Sequence, residues 1–348
     1  MQRAVFLGSA GAATLATLAP LAAAAQLSTG DDAIRLRFVR DEPDAVLAIL
    51  ADRAAGTSPT DAMWRALFAS EGYRRLAERE HALKRAFDEP TFRSFVLSAE
   101  LLEQRASLAS ALAAWSSADV SVCGTRALAY LPQGSRLRAG VYPEIKPAGN
   151  SFVYDLDLDP GIFLYLDAQI APLEFTYTVA HELHHVGFAQ NAPTPEVRAQ
   201  IERLPAPLRS LQRWLGGFGE GFAVLAGAGG PDVDPATAVG ANARGEWAAE
   251  RATFEPRMRE LSAFFRALLS GRLDGDSARD AGMAFFGNQG AWYTVGWRMA
   301  VTLERRFGRP RLIASIADVR TFMAAYNAAA AGTGLPRWDD DLANAFPS

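Results

Sequence analysis

The chain has 348 residues, 49% of them hydrophobic, which is enough apolar material for a large buried core and argues for a globular protein rather than a disordered one. Its formal net charge of −4 comes from 35 basic and 39 acidic residues spread along the sequence, so there is no basic field for phosphates and nucleic acid is not an expected partner. Cys123 is the single cysteine, and the fold must stand without an intramolecular disulfide. Residues 1–25 carry one charge, Arg3, in an Ala/Leu/Gly run that ends in Ala22-Ala23-Ala24-Ala25. This reads as a secretory signal cleaved before Gln26. An uncleaved anchor is the competing reading, weakened by Pro20 and the Ala/Gly content, and no stable membrane insertion is expected after cleavage. Arg3-Ala4 is half of a twin-arginine signal, so either export route fits.

From Pro43 to Trp115 apolar and charged residues alternate at helical spacing, with breaks at Pro59 and Pro90, and residues 26–118 read as a helical layer. The Arg/Glu-rich stretch Tyr73–Arg85 reads as a solvated helix face, with His81 on the surface. Between Ser121 and Asp167 the runs ALAYLP, RAGVYPEI, SFVYDLDL and GIFLYLD predict a small antiparallel sheet. Asp155, Asp157 and Asp159 do not form a calcium loop, because Pro160 and Leu166 stand at the glycine and bidentate-carboxylate positions. Alternation on one face of a strand explains them better. The whole is expected to be α+β and predominantly helical: a small sheet, then a long helix, with residues 119–348 forming a region onto which the helical layer packs as one domain.

The segment Pro172–Gln190 predicts a helix, with Phe175, Val179, Leu183 and Val186 on its apolar face. It contains His181-Glu182-Leu183-His184-His185, an HExxH motif. Residues four apart lie on one helix face, so His181 and His185 can converge on one zinc ion while Glu182 reaches the attacking water. Zinc lowers the pKa of its water from about 15.7 toward 7, and a neighbouring carboxylate can take that proton and pass it to a leaving amine. His184 points elsewhere and is read as a packing residue.

A catalytic zinc takes a third protein ligand. The metzincin continuation fails at Phe188 and Asn191. Glu196, Glu202 and Glu220 are the acidic residues between Val186 and Pro231. Glu220 is favoured, because a carboxylate isolated inside GGFGEGFAVLAGAGG is costly unless it neutralises a cation, and the flanking glycines would let its helix approach the HExxH helix. Glu202, or a more distant residue, is the alternative.

The sequence resembles the gluzincin peptidases, and among them a group of zinc-dependent peptidases of unknown function. The resemblance rests on HELHH at His181–His185, GEGFA around Glu220 and WYTVGWRMAVTLERRFG from Trp292 to Gly308, and covers Phe152 to Gly308. It implies a sheet whose edge strand, Ile162 to Asp167, precedes the metal helix and pairs with an extended substrate. Val224 stands where thermolysin-like enzymes carry an aspartate, so the carboxylate that orients a ligand imidazole must come from elsewhere. The GxMEN motif of aminopeptidases is absent, which argues for endopeptidase action. Tyr293 is a candidate to hold the developing oxyanion, against ordinary packing beside Trp292 and Trp297, and Arg298 is a second candidate. The expected function is an exported zinc endopeptidase, periplasmic or secreted, acting on peptide or protein substrates. The alternatives are a non-catalytic binding protein on the same scaffold and a zinc hydrolase of a non-peptide amide bond.

Overall fold

The computed structural model describes residues 26–28, 33–287 and 289–347; the predicted leader, residues 1–25, lies outside the described residues. Among the described residues no helix is long and apolar enough to cross a membrane. The fold is α+β and predominantly helical. Two units separate, one comprising the described residues through Ser121 with Arg138–Phe175, the other Val122–Leu137 with Thr176 onward.

The first unit begins with two strands, β1 (Gln26–Ser28) and β2 (Ile34–Phe38), where the sequence reading has only helix. The alternation of Ile34, Leu36 and Phe38 with arginines is the period-two signal for β2. Five helices follow: α1 (Asp41–Ala54), α2 (Asp61–Ala69), α3 (Glu71–Ala82), α4 (Glu89–Val96) and α5 (Ala99–Ser116). The side chains of Thr60, Ser70, Asp88 and Ser98 each accept from a backbone N–H in the first turn of α2 to α5, a cap worth about 1 kcal/mol apiece. These caps set the breaks; Pro90 sits inside the first turn of α4, where its missing N–H costs nothing.

The sheet is completed by β3 (Leu137–Glu144), β4 (Phe152–Tyr154) and β5 (Gly161–Tyr165), in the order β1-β2-β3-β5-β4. It is mixed, not antiparallel, because β5 returns from β4 as an antiparallel hairpin partner and inserts beside β3 in parallel. β5 is therefore interior, which overturns the expectation that Ile162 to Asp167 forms an exposed edge; β4 holds that edge. Phe163 pairs in register with Tyr142 and with Phe152, and its ring stacks between theirs at 4.6 and 5.0 Å.

Three further expectations are corrected here. ALAYLP is not a strand: its first two residues, Ala127 and Leu128, end α6 (Val120–Leu128), whose residues Val120, Cys123, Gly124 and Ala127 are buried at helical spacing. The aspartates are not on a strand face but in the turn after β4, with Asp155 at φ 57, a conformation aspartate tolerates. Asp159 and Asp155 lie 2.8 and 3.6 Å from Arg75. Arg75 and Arg79 of α3 are buried rather than solvated, Arg79 with its guanidinium 3.5 Å above the Phe152 ring. His81 is exposed as expected.

The second unit carries α7 (Pro172–Asn191), which crosses the boundary near its start, then α8 (Pro195–Glu202), α9 (Ala206–Leu215) and α10 (Gly219–Ala228). After these come α11 (Ala241–Ala252), α12 (Phe254–Leu269), α13 (Gly275–Met283), α14 (Ala291–Phe307), α15 (Arg309–Ala317), α16 (Phe322–Ala330) and α17 (Asp340–Ala343). Its core gathers the apolar faces of α10, α12, α14 and α16 around Trp292, whose indole N–H donates to Gly282 O at 3.0 Å. α10 is buried from Glu220 to Ala228. It crosses α14 where Gly221 meets Gly296: a Cβ on Gly221 would overlap the backbone of Gly296 and Trp297. A Cβ on Gly227 would lie 2.9 Å from Tyr177 O, so α10 also meets α7 at backbone distance.

Candidate metal centre

Helix α7 forms where predicted, with Phe175, Val179, Leu183 and Val186 at most 1% exposed. That anchoring turns His181 and His185 to one side. Helix α10, held between α14 and α7 by its glycines, brings Glu220 to the same point. The expected glycine role is shifted by one turn and more: Gly227 makes the close approach to α7, Gly221 serves α14, and Gly219 meets nothing within 4 Å.

The three donor atoms form a nearly equilateral triangle. His181 Nε2 lies 3.2 Å from His185 Nε2, and Glu220 Oε2 lies 3.2 Å from His185 Nε2 and 3.3 Å from His181 Nε2. Donors about 2.0–2.1 Å from a tetrahedral zinc stand about 3.3 Å apart, so this triangle has the size of one tetrahedral face. The donor chemistry also fits, two neutral imidazoles and one carboxylate with the fourth position open. Among the described residues this is the group able to hold a metal ion.

Electrostatics agree with the geometry. Burial alone would raise Glu220, but the adjoining His185 and His181 rings hold it well below the usual carboxylate range. Burial likewise opposes charge on His185, and Glu220 outweighs it, holding the ring up at about 9. The carboxylate is thus held as an anion by the two imidazoles it faces. Glu202 and Glu196 lie on α8, exposed and away from the cluster.

Glu182 is 4% exposed, and its Oε2 has no hydrogen-bond partner. It is close enough to His185 for its charge to act on that ring. His184 is not in the triangle; it is buried, packs 6.2 Å from Phe188, and is pushed down to about 3 by burial first and then by its two neighbouring histidines. Tyr293 stacks on His181 at 6.2 Å with an 18° interplanar angle, which places α14 beside the metal ligands. Arg298 is exposed and lies 5.9 Å over Phe254, outside the cluster. Tyr177 was missed by sequence reading although it sits one turn before His181, its ring 6.3 Å away. Among the described residues no carboxylate orients His181 through its Nδ1, which is buried without a hydrogen-bond partner.

The model of a family described as "Putative zinc dependent peptidase (DUF5700)" matches residues 64–333, well over half of the chain. The chain belongs to that family. The match starts in α2, so it takes in most of the helical layer as well as the motif-bearing part. The family is zinc dependent by its description, and the triangle of His181, His185 and Glu220 is where this chain can hold a metal. A peptidase is a hydrolase, and peptides are the substrate class that membership points to. No curated protein and no solved structure matches the chain.

Proposed function

We propose that this chain is a zinc endopeptidase of the gluzincin kind, with His181, His185 and Glu220 as metal ligands and Glu182 as general base. The observation that carries the reading is the donor triangle with a buried carboxylate, Glu182, next to it in α7, whose Oε2 has no hydrogen-bond partner. Bound zinc acts as a Lewis acid and lowers the pKa of water at the site. Glu182 takes the proton from the attacking water and delivers it to the amine that leaves. The Tyr293 hydroxyl donates a hydrogen bond to the carbonyl oxygen as negative charge builds on it. Retention of Glu182 speaks against a non-catalytic binding protein.

The test compares zinc-loaded wild type with Glu182→Gln on a proteome-derived peptide mixture. Losing the general base costs about 10²–10⁴-fold in rate, with zinc retained. Equal cleavage by the two proteins, or by neither, overturns the proposal; hydrolysis of non-peptide amides alone would favour that alternative. We also propose export to the periplasm or beyond, on the strength of the Ala-rich leader. Mass spectrometry should find a mature N-terminus near Gln26, and an intact Met1 in the membrane fraction would refute this.

A further inference from the structure

Glu220 and Gly227 stand two helical turns apart on α10, so both face α7. Each meets a different part of that helix. Glu220 Oε2 lies 3.3 Å from His181 Nε2 and 3.2 Å from His185 Nε2. A Cβ on Gly227 would lie 2.9 Å from Tyr177 O and 3.2 Å from the Cδ2 and Cε2 atoms of the Tyr177 ring. Tyr177 precedes His181 by one turn and shares the histidines' face of α7. The two helices therefore run antiparallel and meet at two points about 10 Å apart along the axis, once through the donor cluster and once through Tyr177 on Gly227.

A zinc-ligating imidazole is ordinarily oriented through its second ring nitrogen, which donates to a carboxylate or a carbonyl. His181 turns Nε2 toward the cluster, and its Nδ1 is buried without a hydrogen-bond partner. Aromatic rings surround it instead. The Tyr177 centroid lies 6.3 Å away at 43° and the Tyr293 centroid 6.2 Å away at 18°. Both distances fall inside the range of roughly 4.5–7 Å over which rings pack. The two tyrosines are buried, and Tyr177 is pinned further because its carbonyl and one ring edge lie against Gly227.

We infer that Tyr177 is a positioning residue for the metal centre: its ring, with that of Tyr293, sets the plane of His181, and its seat on Gly227 sets the distance from α7 to Glu220. The inference rests on the ligand set proposed above and not on peptide hydrolysis. The ring is the working part, not the hydroxyl. Phenylalanine at 177 keeps the ring and its seat. Leucine presents no flat face, so His181 gains freedom to rotate out of the cluster.

The test measures zinc affinity by competition with a chelator, together with the visible absorption of the cobalt-loaded protein, which responds to the angles at the metal. Neither readout needs a substrate. Tyr177→Leu should weaken zinc by about 10- to 100-fold, the loss typical when the support of a metal ligand is removed, and should change the cobalt spectrum. Tyr177→Phe should match the wild type in both. Val179→Ala, at a fully buried position two residues further along α7, should lower the melting temperature and leave both readouts unchanged. The inference is overturned if Tyr177→Leu keeps wild-type affinity and spectrum, if Tyr177→Phe loses as much as Tyr177→Leu, or if Val179→Ala weakens zinc equally. Tyr293→Leu repeats the test from α14 should Tyr177→Leu not fold, and unchanged zinc affinity there overturns the shared role of the two rings. A wild type that binds no zinc sinks the ligand set and this inference with it. Zinc binding without cleavage of any peptide sinks the peptidase reading alone.

Discussion

Replacing Glu220 by glutamine removes one anionic corner of the donor triangle while keeping the side chain's shape. Glu220 is 5% exposed and 3.2–3.3 Å from both imidazoles, so the amide fills the same space and the fold should persist. Apparent binding free energies of structural zinc sites with four ligands run to about 10–16 kcal/mol, which assigns about 2.5–4 kcal/mol to each ligand. That corresponds to a 10²–10³-fold loss of affinity, at about 1.4 kcal/mol per factor of ten. Zinc content after dialysis against a chelator buffer, with circular dichroism to verify folding, measures it. Glu220→Gln should lose zinc and hydrolysis together, whereas Glu202→Gln, altered at an exposed position of α8, should lose neither. If Glu220→Gln keeps both metal and activity while Glu202→Gln loses them, the ligand set is wrong.

Tyr293→Phe should lower kcat about 10²-fold with zinc content and KM little changed, because removing one oxyanion donor costs roughly that much; an unchanged kcat would leave Tyr293 a packing residue. Gly221→Ala drives a methyl into the α14 backbone and should cost about 1–3 kcal/mol or more, read as a lower melting temperature in calorimetry; an unchanged melting temperature would contradict the close crossing. Gly219→Ala should instead raise stability by about 0.5–1 kcal/mol, and a loss of stability there would show that the open space is not real. In the first unit Glu42 and Glu144 are fully buried, with three of their carboxylate oxygens unpartnered, and burial raises both well above the usual range. Raised carboxylates bind protons more tightly in the folded state. Their contribution is present at acid pH and is lost as pH climbs from about 4.5 through the raised values. Glu144→Gln should therefore flatten the fall in melting temperature toward alkaline pH, and an unaltered slope would refute the shared cause.

The candidate donor cluster was legible because the pattern a metal site needs is written locally. His181 and His185 are four residues apart on one helix, and Glu220 announces itself by standing alone among apolar residues. Helix α7 was legible for the same reason, its face being periodic. What failed depended on partners distant in sequence. Arg75 and Arg79 look solvated on α3, but Asp159 and Phe152 reach them from the sheet, more than seventy residues on. The interior place of β5 depends on a hairpin inserting beside β3, which no pattern within β5 records. ALAYLP carries strand-forming residues, yet the burial of Val120, Cys123 and Ala127 draws its first two residues and the chain before them into a helix.

The glycine-rich approach to Glu220 shows how stability and access divide within one helix. A glycine in a helix costs about 0.5–1 kcal/mol relative to alanine. At Gly221 and Gly227 close helix contacts offset that cost, since a side chain there would push α10 away from α14 or α7 and carry Glu220 out of reach of the histidines. At Gly216 and Gly219 no contact offsets it. A chain optimised for helix stability alone would carry alanine at both, for a gain of about 1–2 kcal/mol. Gly219 stands next to Glu220 on α10, so part of the stability forgone lies beside the carboxylate that can join His181 and His185 around a metal ion.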